Sequence, residues 1–429
     1  MKKYRVSIFT FLVALFMLWP ASNNNWGGNR WVDILESDAK GYYAYLPAFI
    51  IYKDINFGHF DEIEKEKYYL ENIFYDYRLS HNNKILNKYF VGTSILQMPF
   101  FFVAHWVALN SDIWDADGFS QPYLVSINIA AIFYVVLGFW LLLRVLEPQY
   151  GSISIFVAVM SIFATNLYYY AVGEPGMSHA YSYFLVSCFI YMTFKYQSFP
   201  KFKYLVCAAI TFGLLILIRP VNGLVLFSLP FLLGKTEFMK VLKVIKKPSH
   251  AISLSSIVIA LFSVQFIIYY FQTGHFFVYS YSEEGFNWAN PEVLNALFSF
   301  KKGAFVYTPI LLLVFPALFS FWKTNKFRVW AFILFFSPVL YVLFSWWNWW
   351  YGGSFSQRVL IEYYPILIVF FSMWAHGIQS KTTKKLLVAF SVICLCWCQL
   401  QTYQYRYNII HWENMDREKY IEVLFNMPE

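Results

Sequence analysis

The sequence predicts an all-α, polytopic membrane protein of about 11 transmembrane helices, with interfacial helices in its first outer loop. Three observations predict it. Of the 429 residues, 59% are hydrophobic and only 14% charged, which excludes both a water-soluble and a disordered chain. Apolar stretches near the roughly 20 residues that cross a bilayer recur from end to end. Aromatic residues make up 23% of the chain, with 34 Tyr and 16 Trp, amphipathic rings suited to the level where helix ends meet lipid headgroups. The net charge of +8 resides in short basic clusters between apolar segments, a pattern of loop orientation that argues against nucleic-acid binding. All five cysteines fall within apolar segments, so no disulfide framework is expected; Cys394, Cys396 and Cys398 alternate without a histidine and read as packing residues.

Along the chain, Lys2, Lys3 and Arg5 precede an apolar run over residues 6–19. Ala21 and Ser22 would suit a signal-peptide cleavage site. The length of the run, and the need of later spans for a starting orientation, favour an uncleaved first span with a cytoplasmic N-terminus. Residues 21–121 then form the first outer loop. Ten further spans are read at about 122–143, 152–170, 178–194, 202–218, 221–233, 251–271, 305–321, 329–344, 360–374 and 386–400. The lysine-bearing loops between them alternate as cytoplasmic. The segment 89–109 would break this parity if it crossed, so it reads as amphipathic or re-entrant. It holds Pro99 and His105 and leads into a loop with Asp112, Asp115 and Asp117 but no Lys or Arg. Residues 1–400 are thus one transmembrane domain, and 401–429 a short outer tail.

Polar constellations gather in the outer stretches, where loops on a rigid scaffold usually carry chemistry. Asp38 opens an aromatic amphipathic segment through Tyr42, Tyr43, Tyr45 and Leu46. Ser37 and Asp38 suit a helix N-cap; equally, Asp38 would be a functional carboxylate at headgroup depth. Glu174 and His179 flank a Gly-Pro turn at a helix mouth, able to share a polar pocket or to sit in wetted loop. Arg219 interrupts two apolar runs, where a guanidinium costs about 2.5 to 3.5 kcal/mol unless it snorkels or meets a partner or an anion. The run from Ser345 to Arg358 sets Trp346, Trp347, Trp349, Trp350 and Tyr351 ahead of Gly352-Gly353, Gln357 and Arg358. Most of the tryptophans read as a membrane belt. Arg358 is either solvated or a fixed cation near phosphates. Lys88 is a weaker phosphate candidate, and Glu283, Glu284, Lys301 and Lys302 read as pocket rim. No P-loop, dinucleotide fingerprint or His-Glu-x-x-His is present, so any transferred group would arrive through the membrane.

The segments Ser37-Asp38 with Gly41-Tyr42-Tyr43-Ala44-Tyr45-Leu46, Asn87-Lys88-Tyr89-Phe90-Val91-Gly92, Met177-Ser178-His179-Ala180, Arg219-Pro220 and Trp350-Tyr351-Gly352-Gly353-Ser354-Phe355-Ser356-Gln357-Arg358 resemble the GT-C glycosyltransferases, which include protein O-mannosyltransferases and lipid A aminoarabinose transferases. The resemblance spans nearly the whole chain through short motifs. It implies a GT-C-like bundle in the cytoplasmic (inner) membrane, with an inverting active site on the outer face. The donor would be a polyprenyl-phosphate sugar, and the acceptor a lipid, glycan or protein hydroxyl. Asp38 matches the family's catalytic acid and would be the general base. Glu174 would orient the acceptor or a cation. Arg358, with Arg219, His179 and Lys88, would hold the donor phosphate, and Tyr42, Tyr43, Trp350, Tyr351 and Gln357 would form the pocket rim. No cofactor is predicted; the chain lacks an Asp-x-Asp in its second acidic loop, which puts a required divalent metal in doubt. The competing classes are a lipid or glycan flippase that breaks no bond and a non-catalytic assembly protein.

Overall fold

The computed structural model describes residues 4–427; Lys2 and Lys3 lie outside the described residues. The chain opens on α1 (Arg5–Ala21), whose apolar side chains project on all sides, with Phe11, Phe16 and Trp19 largely exposed. The first loop then builds α2 (Asp38–Pro47), a hairpin of β1 (Arg78–His81) and β2 (Lys84–Asn87), and α3 (Gly92–Leu109). Asn82 and Asn83 form the hairpin turn with φ of 50° and 62°, the left-handed pair that a two-residue turn demands and that asparagine tolerates. Among the helices that follow are α4 (Gln121–Tyr150), α5 (Ser152–Phe163), α6 (Leu167–Val172), α7 (Ser178–Ser198), α8 (Phe202–Ile218), α9 (Leu229–Ile245), α10 (Pro248–Thr273), α11 (Val314–Thr324), α12 (Lys326–Phe344), α13 (Tyr364–Gly377) and α14 (Lys381–Arg406).

Seven helical segments among the described residues are long and apolar enough to cross a membrane. The sequence led us to expect about eleven, and the difference has local causes. The segments Ser152–Phe163, Phe202–Ile218 and Pro309–Thr324 are apolar but short. The run read at 221–233 is divided between a 3-10 stretch, Pro220–Ser228, and α9, which kinks at Gly234 where φ is 73°. α7 has the length, but Ser178, His179, Ser182 and Ser187 make it polar inside. The expected non-crossing segment is the regular helix α3, itself one of the seven. Its first turn and the loop that follows it are tied to α2: Ser94 Oγ donates to the Tyr42 carbonyl, and the Tyr43 hydroxyl donates to the Gly118 carbonyl of that loop. α14 runs to Arg406, past the boundary read at residue 400.

The core is the α4–α7–α13 stack. Ala130, Ala131 and Gly138 line α4, and a Cβ on Gly138 would stand 3.0 Å from the Tyr183 ring of α7, so the small residue sets the spacing of these two helices. α10 is the opposite case: its Ile252, Ile259 and Phe271 are each more than 60% exposed on a 26-residue apolar helix, a surface stable only against lipid. The chain is a multi-pass integral membrane protein.

Candidate functional site

Asp38 is the first residue of α2, and Ser37 before it takes φ 48° without any side-chain capping bond. The Asp38 carboxylate is committed elsewhere. Its Oδ2 accepts from Arg358 Nη2 at 2.7 Å, and its Oδ1 from the Tyr89 hydroxyl at 2.6 Å. Tyr89 follows β2, so the hairpin delivers it and Lys88 to the site; its hydroxyl also meets that of Tyr75 at 2.6 Å. Burial alone would push the Asp38 carboxyl up, but the guanidinium and the phenol outweigh it and hold it below the usual carboxylate range. Arg358 opens a 3-10 stretch, Arg358–Tyr363, that leads into α13.

One turn further on, Glu362 accepts from Arg219 Nη1 and pairs with His179 Nδ1, both at 2.9 Å from its Oε1. A third pair, Lys88 with Glu284 at 2.6 Å, joins the hairpin to the irregular stretch 274–292, and Ser280 Oγ donates to the Lys88 carbonyl. These pairs surround one cavity of about 510 Å³. Asp38, Tyr42, Lys88, His179, Arg219, Tyr351 and Arg358, separated by up to 320 positions in the chain, all line it. Its remaining wall is aromatic, with Tyr75, Tyr281, Phe286, Trp346 and Trp347.

Four residues read as site candidates lie outside this wall. Glu174 accepts from the Tyr169 hydroxyl at 2.9 Å, while its Oε2 is closed off without a partner among the described residues; burial pushes it up to about 7 against the pull of Arg358. Tyr43 packs on Phe101 and Phe119 and points to Gly118. Trp350 donates to Glu413 at 3.1 Å, with the Lys301 ammonium 3.7 Å from its ring centroid. Gln357 is 1% exposed and its amide has no hydrogen-bond partner among the described residues. The rim residue Lys302 is buried too, its ammonium donating to the Ser354 carbonyl, and burial lowers it to about 7.

Sequence reasoning missed Glu362 and Tyr75 and undervalued Tyr89 and Glu284. Glu362 carried a usable signal: it is an acidic side chain inside an apolar run, four residues after Arg358, and a carboxylate at that position needs a partner. Among the described residues no three His, Cys, Asp or Glu side chains converge as a metal-binding set.

No family model matches the chain, and no curated protein does. Among solved structures, its fold is similar to that of ArnT from Cupriavidus metallidurans in the apo state, at 11% identity over 91% of this chain and 64% of that one, with a TM-score of 0.52. Another is the archaeal oligosaccharyltransferase AglB from Archaeoglobus fulgidus, in complex with an inhibitory peptide and a dolichol-phosphate. It is 13% identical over 100% of this chain and 60% of that one, with a TM-score of 0.49. The chain therefore spans a little under two thirds of the length of either. At 11% identity the likeness to ArnT speaks for architecture alone, and this chain has an ArnT-like membrane fold.

Proposed function

We propose that the chain is an inverting glycosyltransferase that moves a sugar from a polyprenyl-phosphate-linked donor to an acceptor hydroxyl at the outer face of the inner membrane, with Asp38 as general base and Arg358 on the donor phosphate. The observation that carries this reading is the convergence of Asp38, Arg358, Arg219 and Lys88 on one aromatic-lined cavity. Such a cavity suits a donor whose phosphate meets cations while its sugar lies against ring faces.

With Asp38 and Arg358 in contact at 2.7 Å, no sugar fits between them, so the pair opens when the donor binds. The phosphodiester takes the guanidinium, whose planar fork matches two phosphate oxygens. Asp38, deprived of its cation, then gains proton affinity beside the acceptor hydroxyl. The acceptor oxygen bonds to the anomeric carbon, the bond from that carbon to the phosphate oxygen breaks, and the hydroxyl proton passes to Asp38. The leaving phosphate is a weak base, so cations suffice to receive its charge. A base of this kind contributes about 10² to 10⁴ in rate, and a donor aimed at the developing charge about 2.7 to 4 kcal/mol.

The test is reconstitution with polyprenyl-phosphate sugars, comparing wild type with Asp38→Asn. Sugar transfer that Asp38→Asn leaves undiminished removes this mechanism. Movement of the intact donor across the bilayer without bond cleavage makes the protein a flippase instead.

A further inference from the structure

Resting on that reading of the cavity, we propose that Glu362 is a positioning residue that fixes the tautomer of His179, with the ring's Nε2 turned to the cavity as an acceptor for a hydroxyl of the transferred sugar, and holds Arg219 beside it for the phosphate. Glu362 itself is 1% exposed and does not line the cavity, whereas both of its partners do. It therefore acts through them. An ionised carboxylate can only accept, so the atom of His179 that faces it, Nδ1, carries the proton. That leaves Nε2, which has no hydrogen-bond partner among the described residues, as the imidazole's free lone pair.

Charge balance keeps the ring neutral. The single negative charge of Glu362 is already matched by Arg219 on the same oxygen. Asp38 and Arg358 form a closed pair one turn away, as do Lys88 and Glu284 at the rim. A second proton on His179 would leave one buried positive charge without a counter-ion, the costliest arrangement for an interior group. A neutral imidazole presenting a lone pair repels a phosphate oxygen and attracts an O–H. His179 thus belongs to the sugar and not to the phosphate. Because Arg219 Nη1 and His179 Nδ1 each lie 2.9 Å from one oxygen, they are less than twice that distance apart, close enough for one to meet the phosphate and the other the sugar attached to it.

The second oxygen of Glu362 supports a positioning role over a stabilising one. Oε2 is buried without a partner among the described residues, an arrangement that costs stability and that a well-packed apolar side chain would avoid.

The experiment measures equilibrium binding to the full-length protein in nanodiscs, read from tryptophan fluorescence because Trp346 and Trp347 line the cavity. The probes are bare polyprenyl phosphate and polyprenyl-phosphoryl mannose and glucose. The readout is how many fold tighter the better sugar-bearing lipid binds than the bare phosphate. Wild type is expected to show a gain of roughly three- to tenfold at pH 8 that disappears as the imidazole protonates in acid. His179→Phe should abolish the gain. His179→Gln, whose carbonyl oxygen falls near the place of Nε2, should keep part of it and lose its pH dependence. Glu362→Gln, which no longer dictates the tautomer, should reduce the gain while the protein still binds bare phosphate. Should Glu362→Gln fail to fold, the two His179 variants decide the matter. A gain unchanged in His179→Phe, or a wild type that binds bare phosphate but neither sugar-bearing lipid more tightly, overturns the proposal and leaves the phosphate site standing. A wild type that binds none of the three lipids overturns the glycosyltransferase reading and this proposal with it.

Discussion

Arg358 shows how much a single side chain is asked to do. It is 8% exposed, its Nη2 neutralises Asp38, and its Nη1 faces the Met177 sulfur at 3.5 Å, a soft contact that a phosphate oxygen displaces at little cost. Arg358→Lys keeps the charge but loses the fork. The expected result is a drop in transfer rate of about 10² to 10³, with the protein still folded, checked by initial rates against a thermal melt. Asp38→Asn differs in kind, because it leaves the guanidinium unpaired. Its transfer should fall by about 10² to 10⁴ while binding of bare polyprenyl phosphate is retained or strengthened, a split visible by measuring both on one preparation. Both residues stood out in the sequence, as an acid after the first apolar run and an arginine at a helix mouth. Their direct contact did not, since 320 positions separate them and only the fold closes that distance.

Two glycines decide whether the elements that carry the site can approach one another. In α2, a Cβ on Gly41 would stand 2.1 Å from Cδ2 of Tyr89, the ring whose hydroxyl donates to Asp38. At the start of α3, a Cβ on Gly92 would stand 2.4 Å from the Ile218 nitrogen and 2.5 Å from the Leu217 carbonyl carbon, backbone that leads directly into Arg219. Within a helix, exchanging glycine for alanine ordinarily stabilises by up to about 1 kcal/mol. Here overpacking of about 1 to 3 kcal/mol opposes it and wins, because neither a doubly bonded Tyr89 nor a helix-end backbone can step aside freely. Gly41→Ala and Gly92→Ala should therefore lower both the melting temperature and the transfer rate, the first through Tyr89 and Asp38, the second through Arg219. At this scale the sequence was partly legible. Apolar runs revealed the long helices, but α3, read from the lysine-free loop at 110–120 as a segment that does not cross, is itself long and apolar enough to span. The β1–β2 hairpin was not legible, because strands of four residues are too short to show an alternating pattern. Glu362 vanished inside an apolar run because average hydropathy hides one charge among many aliphatic neighbours.

Across the whole molecule, the ionisable groups buried in the loops between the spans give the protein a pH dependence of definite sign. Burial pushes Glu36 up to about 8, Glu64 to about 7 and Glu174 to about 7, each from 4.5. The folded chain keeps these protons to a higher pH than the unfolded chain does. His59, lowered by burial from 6.5 to about 4, opposes them, but three acids outweigh one imidazole, so on balance folding takes up protons between pH 4.5 and about 7 to 8 and stability falls as pH rises through that window. Lys302 works the other way: burial lowers it from 10.5 to about 7, so folding releases a proton between about 7 and 10.5 and stability climbs with pH there. Asp38, held below its ordinary value, adds a loss of stability only at pH below this range. Thermal unfolding in detergent should accordingly show a minimum in melting temperature near pH 7 to 8, where the falling limb of the acids meets the rising limb of Lys302. Glu36→Gln combined with Glu174→Gln should flatten the acid limb, and Lys302→Met should flatten the alkaline limb while leaving the other in place. A melting temperature that instead peaks near neutrality, with limbs indifferent to these substitutions, would mean that water reaches these side chains and that the outer loops pack more openly around the cavity than the structure has them.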